Sequence, residues 1–245
     1  MKRLAELSVQ IFADGADEAG IREMAENPLI KGFTTNPTLM RKAGIDDYEA
    51  FARAVLPVIG PRPISFEVFA DDFDEMQRQA RTIAAWGPNV FVKIPITNTR
   101  GDPSLALVSR LARGGVQLNV TALLTLEQVR GASLALAGGP RAYISVFAGR
   151  IADTGRDPVP LMAAAVEMLR RFPNIQLIWA SPRELLNIFH ADSVGCHVIT
   201  VTNDVLAKLA LVGKDLTEYS LDTVRMFYED ARKAGFTIEA RVNTR

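Results

Sequence analysis

Short apolar runs alternate with helical patterns along almost the whole chain, about eight times over. Strand-like runs fall at 8–13, 30–35, 64–69, 90–96, 116–120, 142–147, 175–180 and 197–201. Amphipathic stretches lie near 16–26, 47–57, 72–86, 103–112, 125–137, 158–171, 183–190 and 203–211. Strand followed by helix, repeated, argues for a parallel sheet covered by helices, because parallel strands need long crossovers. Eight such units in 245 residues predict one α/β domain over 1–245, a closed (β/α)8 TIM barrel rather than an open sheet. No G-x-G-x-x-G opens the first helix, which argues against a dinucleotide fold. Residues 216–234 read as a C-terminal helix packed on the barrel or on a neighbouring subunit. Thr217 and Ser220 are its candidate caps and Gly235 its stop.

Composition removes several function classes. The 28 basic and 28 acidic side chains cancel, so the chain lacks the basic footprint of a nucleic-acid binder. No apolar run approaches the roughly 18 residues of a membrane span. The start "MKRLAELSVQIFADG" is basic, but Glu6 interrupts its apolar stretch and no small-residue cleavage site follows. The expected location is cytoplasmic. The lone Cys196 excludes an intrachain disulfide framework and reads as a small buried apolar residue. Two histidines, His190 and His197, are too few for a His-rich catalytic metal site.

"VFVKIPI" sets one amine, Lys93, in an apolar run. Successive side chains on a strand face opposite ways. Val90, Val92, Ile94 and Ile96 therefore share the face toward the helices, while Phe91, Lys93 and Pro95 point into the barrel. The same split sends Gln10, Phe12 and Asp14, Ser65 and Glu67, Gln117, Asn119 and Thr121, and Tyr143, Ser145 and Phe147 inward. Asp14, Glu67, Lys93, Asn119, Thr121 and Ser145 can then converge near the C-terminal strand ends, where barrel enzymes place their chemistry. A structural ion pair of Lys93 with Asp14 or Glu67 is the alternative reading. It accounts less well for six inward polar groups, each of which needs partners.

Burial penalises the charged form of an amine and so lowers its pKa. A neutral lysine can attack a carbonyl and form a Schiff base, whose iminium draws electrons from an adjacent carbon–carbon bond. Such chemistry needs a carboxylate for proton transfer, and Asp14 and Glu67 are the candidates. It requires no cofactor.

"IFADGAD", "GFTTNPTLM", "VFVKIPIT", "VQLNVTALLT", "ISVFAGRI" and "WASPRE" stand in this order between about residues 10 and 210. Together they resemble the transaldolase and fructose-6-phosphate aldolase family, in its short branch. The resemblance implies that Lys93 forms the imine and that Asp14 exchanges the proton of the substrate hydroxyl. It implies that Glu67 acts through a water that Thr121 helps to hold. Thr34, Asn36, Asn119 and Ser145 would bind the substrate or its dihydroxyacetone unit, with Phe147 beside them. Arg150, Ser181 and Arg183 match the family's phosphate-binding positions. Thr34, Thr121 and Ser145 could instead fill core space, and either arginine could serve a surface ion pair. Two features depart from the family pattern. Pro182 replaces an aromatic or lysine-like residue, and "TNTRG" is one residue longer than usual, with Arg100 as an extra cation near the mouth.

The resemblance implies a transaldolase moving a dihydroxyacetone unit between sugar phosphates, as a homo-oligomer. An aldolase releasing dihydroxyacetone and glyceraldehyde 3-phosphate, and a non-catalytic sugar-phosphate-binding barrel, are the competing readings.

Overall fold

The structure, a computed structural model, describes residues 3–238; residues 1–2 and 239–245 of the expected domain lie outside them. Eight strands run β1 Gln10–Asp14, β2 Ile30–Thr34, β3 Ile64–Glu67, β4 Val90–Pro95, β5 Leu118–Leu123, β6 Ala142–Val146, β7 Ile175–Trp179 and β8 Val198–Thr202. Each pairs in parallel with the next, and β8 pairs with β1, so the sheet closes into a barrel. The helices are α1 Glu18–Glu26, α2 Pro37–Lys42, α3 Tyr48–Ile59, α4 Phe73–Ala84, α5 Leu105–Arg113, α6 Leu126–Leu136, α7 Ala148–Ala152, α8 Val159–Leu169, α9 Leu186–Ser193, α10 Asn203–Leu206 and α11 Leu216–Ala234. This is the (β/α)8 barrel with a C-terminal helix that the alternation of periods predicts.

Capping residues start several of these helices. Asp17, Asn36, Asp47 and Asp72 accept hydrogen bonds from first-turn amides of α1, α2, α3 and α4, and Thr125 does the same for α6. Three details differ from the sequence expectation. The short helices α2 and α7 carry too few residues to show a period. The stretch 203–211 is α10 followed by a 3-10 turn over Ala207–Leu211, not one helix. The cap of α11 is Asp215, not Thr217 or Ser220: its Oδ1 accepts from the amides of Thr217 at 2.9 Å and Glu218 at 3.0 Å. Thr217 and Ser220 already lie inside the helix. Gly235 ends it with φ 68°, in the left-handed region that glycine adopts without strain.

Two apolar zones hold the barrel. Outward side chains such as Val92, Ile94, Val120 and Ile144 bury against helix residues such as Val55, Leu111, Val129 and Met162. Inside, Phe12, Phe91, Tyr143, Ile178 and Val198 form a separate apolar plug. Tyr143 meets Phe12 edge-on at 5.7 Å and Phe91 at 4.5 Å between ring centroids. The polar inward residues sit one layer higher, toward the C-terminal strand ends. Cys196 is buried, and burial pushes its thiol up to about 12. The apolar side of α11, with Leu216, Leu221, Val224, Phe227 and Tyr228, is exposed.

The plug depends on a missing side chain. A Cβ on Gly32 would lie 2.6 Å from Cζ of Phe12, inside any real contact. Gly32→Ala is expected to destabilise the protein by about 1–3 kcal/mol through overpacking, measured by urea unfolding. Phe12→Leu in the same chain should recover part of the loss.

Candidate active site

Lys93 lies in the middle of β4 and is only 6% exposed. The barrel register puts Glu67 of β3 beside it on one side and Asn119 of β5 on the other. Its Nζ stands 3.1 Å from Oε2 of Glu67 and donates to the Thr35 carbonyl at 2.8 Å. Of the two carboxylates open to a structural ion pair, Glu67 is the one in contact. Tyr48 of α3 braces this arrangement from outside the barrel. Its hydroxyl accepts from the Glu67 amide at 2.7 Å and donates to the Glu67 carbonyl at 3.2 Å. Burial pushes the Tyr48 phenol up, which keeps it a neutral donor.

Asp14 belongs to a second chain of contacts. Thr34 donates to its Oδ1 at 2.7 Å, and Thr200 of β8 meets Thr34 at very short range. Thr34 has one proton and gives it to Asp14, so Thr200 must donate to Thr34. Burial raises the Asp14 carboxyl above the usual carboxylate range, and the positive charge of Lys93 works against that rise. A cavity of about 410 Å³ lies at the end of β1 between α1 and α2, lined by Asp14, Gly20, Ile21, Leu39, Lys42 and Thr202.

A third network fixes Asn119. Its Nδ2 donates to Ser65 at 3.0 Å, and Ser145 donates to its Oδ1 at 2.7 Å. Asn119 is fully buried. Beyond it, β5 carries one extra residue against β6, and Ala122 takes up the irregularity with φ 65°. Next to this bulge, the Thr121 hydroxyl is buried with no hydrogen-bond partner among the described residues. Asn36 caps α2, accepting from the Leu39 amide at 3.0 Å, which leaves its amide nitrogen available as a donor. Phe147 follows β6 directly, at the start of α7, and packs against the interior plug.

The three expected anion-binding residues gather at the start of α7 and after β7. Arg150 lies over the Phe147 ring at 5.6 Å and is exposed. Arg183 donates through NH1 to Ser181 at 3.0 Å and is gripped on its side edge by Asp153, with Nε to Oδ1 at 2.8 Å. Its NH2 also meets Oδ2 of Asp153. Two backbone features force this proximity. Ser181 has φ 60°, a strained region for a residue with a side chain. A Cβ on Gly149 would sit 1.6 Å from the Ser181 carbonyl oxygen. Arg100 is already engaged, with Asp71 at 3.4 Å and Asp102 at 3.2 Å. Thr99 bonds Asp71 as well, so the 98–104 loop is fastened to the segment after β3.

The residues expected from the sequence therefore lie toward the C-terminal end of the barrel, most of them in four bonded clusters, around Lys93, Asp14, Asn119 and Arg183, with Thr121, Asn36, Phe147 and Arg150 outside these networks. Sequence reasoning missed four contributors. Thr200 could have been found, since alternation in "VITVT" puts Val198, Thr200 and Thr202 on one face. Thr35 acts through its carbonyl, Tyr48 reaches in from a helix, and Asp153 caps the end of a helix too short to read. None of these three leaves a strand-period signal.

Residues 11–241 match the model of the family described as transaldolase/fructose-6-phosphate aldolase. A protein of Dehalococcoides mccartyi named "Probable transaldolase" is 35% identical over 202 residues, 82% of this chain and 90% of the relative. A protein of the same name from Thermoanaerobacter sp. is 34% identical over 231 residues, covering 94% of this chain and all of the relative. Among solved structures, 2,3-dimethylmalate lyase superposes with a TM-score of 0.54 at 12% identity, over 98% of this chain and 88% of that one. That last likeness shows the barrel fold alone.

The raised Asp14 carboxyl makes a stability prediction. Below its unfolded value of 3.8 the carboxyl is neutral in both states and its burial is not opposed by charge. As pH rises through the raised folded pKa, the native state must hold a desolvated anion and stability is lost. Asp14→Asn removes that charge. At pH 7 its Tm should exceed that of the wild type, by about 2–4 °C for each 1 kcal/mol released in a domain of this size. The gap should close toward pH 4. Calorimetry at both pH values checks it; a lower Tm for the variant at pH 7 would contradict it.

Proposed function

The chain belongs to the transaldolase/fructose-6-phosphate aldolase family and is an enzyme of that kind, and from that premise we propose that it is a class I transaldolase working through an imine on Lys93. The observation that carries this reading is the buried Lys93 amine, with one carboxylate in contact and a second in its field. A barrel that only binds sugar phosphate has no use for an amine so placed.

The proposed reaction runs as follows. The Lys93 amine adds to the ketone of a ketose phosphate, and Glu67 assists the loss of water that gives the iminium. The unpaired Thr121 hydroxyl supports its role in holding the water through which Glu67 acts. Asp14, its carboxyl raised by burial, takes the proton from the hydroxyl beside the bond being cleaved. The carbon–carbon bond breaks, its electrons enter the iminium, and an aldose phosphate leaves. The remaining enamine adds to an acceptor aldehyde, Asp14 returns the proton, and water releases the new ketose. Asn119, Ser145, Thr34 and Asn36 would hold the dihydroxyacetone hydroxyls, while Arg150, Ser181 and Arg183 would bind phosphate. The planar guanidinium fork suits two phosphate oxygens at once. The exposed apolar face of α11 supports a homo-oligomer, since a continuous apolar stripe on a helix calls for a partner.

Borohydride reduction with fructose 6-phosphate should add the mass of a reduced adduct on Lys93. Lys93→Met should abolish it, and Lys93→Arg should fail as well because a guanidinium stays protonated. An adduct on another lysine, with Lys93→Met fully active, would end the assignment.

One residue separates transfer from simple aldolase action. Release of free dihydroxyacetone needs a proton donor at the enamine, and Phe147, beside the interior cluster, has no hydroxyl. Fructose 6-phosphate alone should therefore release dihydroxyacetone slowly, and erythrose 4-phosphate should raise turnover greatly. Phe147→Tyr should raise the acceptor-independent rate. Equal dihydroxyacetone release with and without acceptor in the wild type would make the aldolase reading the correct one.

A further inference from the structure

The contacts around Arg183 assign a job to a residue outside the expected site, Asp153 at the end of α7. A guanidinium has five N–H donors. Asp153 takes two of them, on Nε and NH2, and Ser181 takes one, on NH1. Among the described residues two remain without a partner, one on each terminal nitrogen. The Ser181 hydroxyl accepts from Arg183, so its own proton is directed elsewhere. The arginine thus has its Nε side edge held by Asp153 and one proton left on each terminal nitrogen, beside the Ser181 hydroxyl.

We infer that Asp153 is the positioning residue of the phosphate pocket: it clamps Arg183 so that the end of the guanidinium and the Ser181 hydroxyl together meet a phosphate monoester dianion. This rests on the functional reading above only in taking phosphate as the ligand.

Three observations support the clamp. The pair is bidentate, the geometry in which a carboxylate fixes the guanidinium plane as well as its position. Gly149 lets the segment carrying Asp153 approach Ser181 so closely that no side chain would fit between them. The hydrogen bond from Arg183, followed by the charges of Arg183 and Arg150, holds the Asp153 carboxyl below the usual range, so it stays ionised at working pH. Asp153 also removes one positive charge from a pocket containing Arg150 and Arg183. Two effects then oppose each other. Deleting Asp153 raises the pocket's charge, which favours phosphate, but frees Arg183, which must then be ordered on binding. At sites this exposed, with side-chain accessibilities of 45% and 51%, solvent and salt screen the charge. Orientation is the larger effect.

The test is titration with glycerol 3-phosphate as the probe, together with kinetics on fructose 6-phosphate and free fructose. Asp153→Ala should weaken glycerol 3-phosphate binding about tenfold. It should raise KM for fructose 6-phosphate by a similar factor with kcat within about twofold, and leave KM for fructose unmoved. Asp153→Glu keeps the carboxylate and should restore most of the affinity, whereas Asp153→Asn, which folds with the same shape, should not. Unchanged or tighter phosphate binding in Asp153→Ala and Asp153→Asn would overturn the inference, the latter result making Asp153 a competitor for Arg183. Equal losses for phosphorylated and free ketose would overturn it too, by showing a role in the fold. Failure of the imine reading is separately visible: the wild type would give no borohydride adduct, while the glycerol 3-phosphate titration would still decide the role of Asp153.

Discussion

A buried amine has to be paired, and much of the upper half of this barrel follows from that requirement at Lys93. An ionic group removed from water is costly unless opposite charge and hydrogen bonds replace its hydration. Glu67 and the Thr35 carbonyl supply both. They come from neighbouring chain segments, so their distances to Nζ depend on the β2–β3–β4 register and not on any local turn. Tyr48 then fixes the Glu67 backbone from the helix layer. Packing outside the barrel is in this way transmitted to the geometry of the amine inside it.

The layer beneath makes the pairing matter. Phe12, Phe91 and Tyr143 close the barrel under the polar residues, leaving Lys93 and Asp14 on a low-dielectric floor where charges act strongly on one another. Gly32 permits that floor by leaving room for the Phe12 ring. The result for Asp14 is a carboxyl raised by burial and restrained by the neighbouring positive charge, and Thr34, held in turn by Thr200, gives it one hydrogen-bond donor. Such opposed influences suit a group that must take up and return a proton.

The cluster of Arg150, Ser181 and Arg183 proposed to bind phosphate follows a different logic. It lies on short loops and a one-turn helix at the rim, where solvent weakens each charge. Precision there comes from the backbone: a left-handed Ser181, a glycine at the point of closest approach, and a carboxylate gripping the side of Arg183. Strain held at Ser181 is the local cost of bringing two separate segments into close contact.

The order of periods along the chain determined the barrel, since alternating strand and helix segments allow few parallel topologies, and alternation within "VFVKIPI" and "VQLNVTALL" determined which side chains face inward. Motif order determined the family resemblance, and the family match bears it out. What tertiary structure alone decided is which inward groups touch. Lys93 could have met either carboxylate, and register gives it Glu67. Arg100 looked like a free cation at the mouth, but Asp71, 29 residues before it, and Asp102 hold it. Thr35, Tyr48 and Asp153 act through a carbonyl, a helix and a single turn, none of which carries a strand period. A one-dimensional pattern records the direction of a side chain relative to its own backbone; partners far apart in sequence become neighbours only when the sheet closes and fixes their distances.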